Sequence, residues 1–219
     1  MEAGLSADLR KQTLEIVDKL DKAYPEAHQE LEFSTAFELL IATILAAQCT
    51  DAKVNEVTKR LFKKYPNPAA YLSAVDDELR SDIAGITFAW NKAKYIKNCC
   101  GMLVNDFGGQ VPNTLGDLVK LQGVGRKTAN IVLANALGIP AIGVDTHTIR
   151  VPNRLGWVNT KNTDKIEQTL CDLLPKEKWH RGNIVIQWHG RYTCKAKKPK
   201  CGECVIFELC NWEDKGLYS

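Results

Sequence analysis

LQGVGRKTANIVLANALGIPAIGVDTH, from Leu121 to His147, joins a glycine turn, a lysine and an acid within one short span. Gly123-Val124-Gly125 opens a helix predicted over Arg126 to Leu137, of about twelve residues and about 18 Å. Gly138 and Pro140 end it, because glycine takes the left-handed cap and proline cannot continue the ladder. The residues from Gly138 to Val144 can span up to about 24 Å when extended. That suffices to run back along the helix and bring Asp145 beside Lys127. A turn able to grip a phosphate, with an amine able to meet a carboxylate, is a candidate site for chemistry on DNA.

Outward from this stretch the chain reads as helix after helix, with no period-two strand. Ser6 precedes Leu9, Ile16, Val17 and Leu20 at helical spacing, and Pro25 closes the run. Thr35 and Glu38 form a capping-box pattern before Phe37 to Ala47, apolar nearly all round and so a buried central helix. Asp51 is placed as the cap of the next helix, which Pro66 stops. Asn67-Pro68 starts a short helix through Ala74. Further helices are expected over Asp76 to Ala84, Lys92 to Phe107 (ended by Gly108-Gly109) and Thr114 to Lys120. After Asp145 come Thr146 to Leu155, which Pro152 should kink or shorten, then Asp164 to Leu174 and Lys178 to His189. The reading is all-α, many short helices in two lobes.

The chain has 219 residues, 45% hydrophobic and 25% charged, enough apolar material for a packed core in one domain or two small ones. A net charge of +3 is too small to argue for a nucleic-acid partner, so local clusters must carry that case. Glu2, Asp8, Arg10 and Lys11 leave the first residues without the apolar core of a secretion signal. Leu39 to Cys49, the longest uncharged run, is too short to cross a bilayer. A soluble, non-secreted protein with no membrane role is expected.

Two short helices joined by L-x-G-x-G give a helix-hairpin-helix pattern, in which glycines let bare N–H groups meet a phosphate oxygen. A plain structural hairpin has the same outline; Arg126, Lys127 and Thr128 directly after the turn favour the phosphate-binding one. Of eight cysteines, Cys49, Cys99, Cys100 and Cys171 lie in helix-like segments and read as small buried hydrophobes. The other four, Cys194, Cys201, Cys204 and Cys210, are spaced C-x6-C-x2-C-x5-C and read as ligands of one metal centre in a reducing compartment. Spacing leaves tetrahedral zinc and an iron–sulfur cluster both open. Arg191, Lys195, Lys197, Lys198 and Lys200 gather around the first two ligands, a basic loop suited to phosphates.

LQGVGRKTAN followed by VDTH resembles the helix-hairpin-helix and Asp signature of the endonuclease III family of DNA glycosylases. AAQCTD (Ala46 to Asp51) resembles that family's AQ-x-TD segment, and HGRYTC with the cysteine tail resembles its iron–sulfur end. The matches run in family order from about Phe33 to Cys210. The resemblance implies a six-helix barrel lobe over residues 29–139 that carries the hairpin. It implies an iron–sulfur lobe formed by 1–28 and 140–219, with lesion DNA in the cleft between. It implies a [4Fe–4S] cluster on the four cysteines and damaged double-stranded DNA as partner, with the protein acting as a monomer. In a prokaryote that means the cytoplasm, near the nucleoid. The lysine in the hairpin matches the bifunctional branch, which removes oxidised or ring-saturated pyrimidines and cleaves 3′ of the abasic site.

An amine attacks only when unprotonated, and an ordinary lysine is so at pH 7 in about one molecule in a few thousand. A helix N-terminus and a neighbouring cation favour the neutral amine, whereas a tight carboxylate pair disfavours it. Lys127 is therefore read as the nucleophile at the sugar C1′. Asp145 is read as stabilising charge there and assisting proton movement, besides serving as a helix cap. DNA contacts are expected from Gly123, Val124, Gly125, Arg126, Thr128 and the basic loop. Gln48 matches the family's gap-filling glutamine. Phe88 matches the apolar wedge that enters where the base has left. Here the chain departs from its relatives: they read G-L/F-Y-x-x-K-A, and this chain reads Thr87-Phe88-Ala89-Trp90-Asn91-Lys92-Ala93. Trp90 is left open between stacking on a base and packing inside. Gln122 and Pro152 are lesser departures. His147 and His189 read as core or capping residues, with His147 also within reach of a phosphate. Two other readings stand beside the main one: a monofunctional adenine or thymine mismatch glycosylase, and a non-catalytic iron–sulfur DNA-binding or redox protein.

Overall fold

A computed structural model describes residues 6–219, and among them every regular element is helical. Glu2 therefore lies outside the described residues. The chain divides into two compact units, 29–139 and the discontinuous pair 1–28 with 140–219.

The 29–139 unit is built round α2 (Ala36–Ala46), which packs against α3 (Asp51–Lys64), α6 (Ala89–Phe107) and α8 (Arg126–Ala136). Leu39, Leu40, Ile41 and Leu45 of α2 are fully buried, as an apolar helix ringed by neighbours must be. Thr35 caps it by accepting from the Glu38 N–H, and the Glu38 carboxylate accepts in return from the Ser34 N–H at 2.6 Å. The cap of α3 is Thr50, not Asp51, because the hydroxyl of Thr50 accepts from the Lys53 N–H. Asp51 is instead the first helical residue, an acid at the positive end. Asn67 and Pro68 start α4 (Pro68–Ser73), and α5 (Asp76–Asp82) follows, packed on α6. Helix α6 begins three residues before the expected Lys92, since Phe88 takes a left-handed conformation (φ 58°) and acts as its N-cap. Helix α7 (Leu115–Leu118) and α8 form the hairpin. Cys99 and Cys100 are buried in α6, where desolvation pushes both thiols up, Cys99 to about 12. Cys49 is not helical; it lies half-buried in the turn after α2.

The second unit joins α1 (Ala7–Ala23), α9 (Thr146–Arg154), α10 (Thr163–Leu173) and α11 (Trp179–Tyr192) to the cysteine tail. Its core includes Ile16, Leu20, Val151, Leu155, Ile166, Leu170, Val185 and Ile206. Asn162 caps α10 through the Lys165 N–H, so the helix starts at Thr163, one residue before the expected Asp164. Pro152 does not interrupt α9: it lies in the last turn, which closes with Leu155 N–H on Val151 O at 2.9 Å. Helices α9 and α11 approach closely at Gly190, where a Cβ would come within 2.8 Å of the His147 Cβ. Among the described residues no helix is long and apolar enough to cross a membrane.

Candidate nucleic-acid interface and metal centre

The hairpin turn is anchored from within. Leu118, Leu121 and Val124 are buried, and Val124 N–H donates to Leu121 O at 3.1 Å, so the apolar residues pin the turn while its glycines face out. Gly125 is the N-cap of α8 and has no side chain to cap it. The first-turn N–H groups of α8 are thus left without an N-cap side-chain acceptor, the arrangement that takes an anion. A Cβ at Gly125 would meet nothing within 4 Å, so the space there is open to a ligand. Arg126 and Lys127 are exposed in the first turn, and Thr128 is half-buried beside them.

Asp145 is the N-cap of α9: its Oδ1 accepts from His147 N–H at 2.9 Å and Thr148 N–H at 2.7 Å. Both bonds fall on one oxygen, which leaves Oδ2 for another partner. Buried Thr148 in turn donates to Asn183, and Asn183 donates to Gly143 O, so the segment before Asp145 is tied to α11. His147 is half-buried, with Nδ1 3.1 Å from a guanidinium nitrogen of Arg150. His189 is buried between Tyr24 and the Cys204 sulfur, and desolvation lowers its pKa to about 4, so it is a core histidine.

Gln48 and Phe88 are both exposed, and both hold positive φ, 55° and 58°. Trp90 is 59% exposed, and the Arg80 guanidinium lies over its ring at 3.2 Å, so it is not packed inside. Lys92, the lysine that this chain shares with the G-L/F-Y-x-x-K-A pattern but to which the sequence assigned no role, is buried and bonded to the end of α2. Its place four residues before Ile96, on the core face of α6, was the available signal.

Cys194, Cys201, Cys204 and Cys210 line one pocket with about 380 Å³ of empty space, part of it open to solvent. Among the described residues no three thiol, imidazole or carboxylate groups converge closely enough for a single ion. Four thiols spread round that space suit a polynuclear cluster better than one zinc. Without a metal, desolvation pushes the Cys204 thiol up to about 11, with mutual thiolate repulsion adding to it, so the donor set calls for a cationic core. Positive groups missed in the sequence surround it. Arg154 donates to the Cys194 sulfur at 3.2 Å and Lys195 O at 2.8 Å, and its guanidinium stacks on Trp212. Lys215 donates to Phe207 O and Cys210 O. Arg150 holds Cys194 O and Gly190 O. Arg150 and Arg154 sit 40 or more residues from these acceptors, so only the fold pairs them, whereas Lys215 reaches back over a few residues.

The basic loop is uneven. Lys195, Lys197, Lys198 and Lys200 are exposed, and Arg191 is half-buried with a partner of its own. Lys200 pairs with Glu203 at 3.3 Å, an acid just past the run, and Lys198 holds φ 49°.

Residues 41–176 match the model of the HhH-GPD superfamily base excision DNA repair protein, and 194–210 match the iron–sulfur binding domain of endonuclease III. Endonuclease III of Bacillus subtilis is 48% identical over 89% of this chain and 89% of its own length. Endonuclease III of Escherichia coli K12 is 42% identical over 92% and 96%. A trapped endonuclease III–DNA covalent intermediate superposes with a TM-score of 0.90 at 44% identity, over 95% of this chain and 98% of that one. A thermostable thymine-DNA glycosylase superposes with a TM-score of 0.85 at 25% identity, over 94% and 98%.

Proposed function

We propose a covalent mechanism for this chain on the premise that it belongs to the endonuclease III family of base excision repair proteins. It is a DNA N-glycosylase with AP lyase activity, it binds DNA, and it carries a [4Fe–4S] cluster. Its substrate is damaged double-stranded DNA, with oxidised or ring-saturated pyrimidines as the lesions. It works as a monomer, at the nucleoid if the cell is prokaryotic. The 29–139 unit is the barrel domain with the hairpin, and 1–28 with 140–219 is the cluster domain.

The carrying observation is Lys127, exposed in the first turn of α8 two residues past a glycine turn with open space before it. Gly123 and Gly125 hold a phosphate through backbone N–H groups, Val124 shapes the turn from beneath with its own N–H on Leu121 O, and Arg126 and Thr128 add charge and a hydroxyl. His147, Arg191, Lys195, Lys197, Lys198 and Lys200 meet further phosphates. Gln48 and Phe88 fill the stack that the lesion leaves.

Lys127 Nζ then bonds to C1′ as the bond from C1′ to the base breaks, and the base leaves with the electron pair and picks up a proton. The C1′–O4′ bond opens, O4′ takes a proton released from the nitrogen, and an imine remains. The imine acidifies C2′; loss of that proton breaks the C3′–O bond and the phosphate leaves with its pair. Asp145 steadies positive charge at C1′ and relays protons. The cluster supplies a cationic core for four thiolates, and Cys194, Cys201, Cys204 and Cys210 hold it, so the tail folds round it. Borohydride should trap a covalent adduct with lesion duplex in the native protein and none in Lys127→Gln. An undiminished adduct in the variant would remove Lys127 from the role.

A further inference from the structure

Lys92 is only 4% exposed and is the sole buried lysine among the described residues. Its Nζ donates to Leu45 O at 2.7 Å and to Ala47 O at 2.5 Å. Leu45 lies in the last turn of α2 and Ala47 is its C-cap, where carbonyls have no partner inside the helix and a cation is favoured. Gln48 follows directly. The backbone N–H of the same Lys92 donates to Phe88 O at 3.1 Å. That backbone bond is an ordinary first-turn bond of α6, so what the lysine side chain adds is a tie from the first turn of α6, which Phe88 caps, to the carbonyl beside Gln48.

Those two residues share an unusual state. Gln48 and Phe88 are two of three non-glycine residues with positive φ among the described residues, and both are exposed. Such a conformation costs on the order of 1 kcal/mol or more and persists only where the surroundings impose it. Desolvation disfavours the Lys92 cation and lowers its pKa, so a core position is given to a costly group. A methionine would fill the same space without that cost, but it would hold neither carbonyl.

We infer that Lys92 is a positioning residue that holds Gln48 and Phe88 as one preformed unit for entry into the duplex. The inference rests on the strand-inserting roles proposed for these two residues. With the unit preformed, the ordering is complete before DNA arrives, and a larger fraction of the protein is competent to replace a flipped base. Lys92 touches neither the sugar nor the base, so it acts on flipping and not on the bond-breaking steps.

The test uses the cluster-loaded protein and two substrates, a lesion duplex and a single-stranded abasic oligonucleotide that needs no flipping. Lys92→Met should slow base release from duplex by about tenfold or more while leaving single-strand cleavage within about twofold. Lys92→Gln, which keeps a donor, should recover part of the loss. In a Gln48→Ala/Phe88→Ala background, Lys92→Met should cost less than about twofold further. Equal losses on both substrates, no loss on duplex, or a full additional loss in that background would overturn the inference. If Gln48→Ala and Phe88→Ala by themselves leave duplex release unchanged, the strand-inserting reading fails first and the inference falls with it.

Discussion

Gly123 rests against Tyr95: a Cβ on the glycine would stand 3.0 Å from the Tyr95 Cβ, and its φ is +80°. The hairpin turn is thereby seated on α6, the helix that Phe88 begins. Gly125, two residues on, has φ −88° and open space around it. The two glycines thus serve different purposes.

Gly123→Ala should destabilise the protein by about 1–2 kcal/mol through strain and contact with Tyr95. Gly125→Ala should leave stability within about 0.5 kcal/mol yet weaken DNA binding several-fold, because the methyl occupies space meant for a phosphate. Denaturant melts and anisotropy titrations separate the two. Equal stability losses would contradict the assignment.

Asp145 caps α9 and is also proposed to act at the sugar, and one substitution divides these duties. Asparagine caps about as well as aspartate, so Asp145→Asn should melt within about 0.5 kcal/mol of the native protein. Its single-turnover base release should fall by roughly a hundredfold. Asp145→Ala should lose about 1 kcal/mol as well. Near-native release in Asp145→Asn would reduce the residue to a cap.

Lys198 and Lys200 are both exposed, but Lys200 is paired with Glu203. If Lys198 meets a phosphate, Lys198→Ala should reduce the slope of log K against log salt by about 0.9. Lys200→Ala should reduce it less. An unaltered slope in Lys198→Ala would take that residue off the DNA.

Chelating the iron should free residues 194–219, whose fold depends on four thiolates meeting a cationic core. Limited proteolysis should then cut within that tail, with loss of visible absorbance and of duplex affinity. An unchanged cleavage pattern after bleaching would show that Arg154 and Lys215 suffice to hold the tail.

Burial pushes the Asp82 carboxyl up, but hydrogen bonds from Lys64 (2.6 Å) and Tyr65 (2.7 Å) outweigh it and hold its pKa below the ordinary carboxylate value. A depressed folded pKa gives stability that is present above the unfolded value of about 3.9 and lost as pH falls through the folded one. Acid unfolding should therefore steepen below about pH 4, and Asp82→Asn should flatten that limb. An identical acid limb in the variant would show the carboxylate is unlinked to folding.

Helix order and chemistry were legible because they are local. Turn glycines, apolar spacing and capping residues act within four positions, and the hairpin, α8 and the four-cysteine spacing all lie in short windows. Boundaries were less so. Thr50 displaced Asp51 as a cap, since neighbouring residues compete for the same N–H group. The start of α6 was missed because a left-handed phenylalanine cap has no sequence signal.

The sequence by itself determined an all-helical chain, its hairpin lysine and aspartate, and a thiol set for one metal centre. Only the tertiary structure decided what those residues lean on. Lys92 under α2, and Arg150 and Arg154 round the cysteines, are pairings between distant segments. A charge or ring takes its meaning from its partner across space, and no spacing along the chain names that partner.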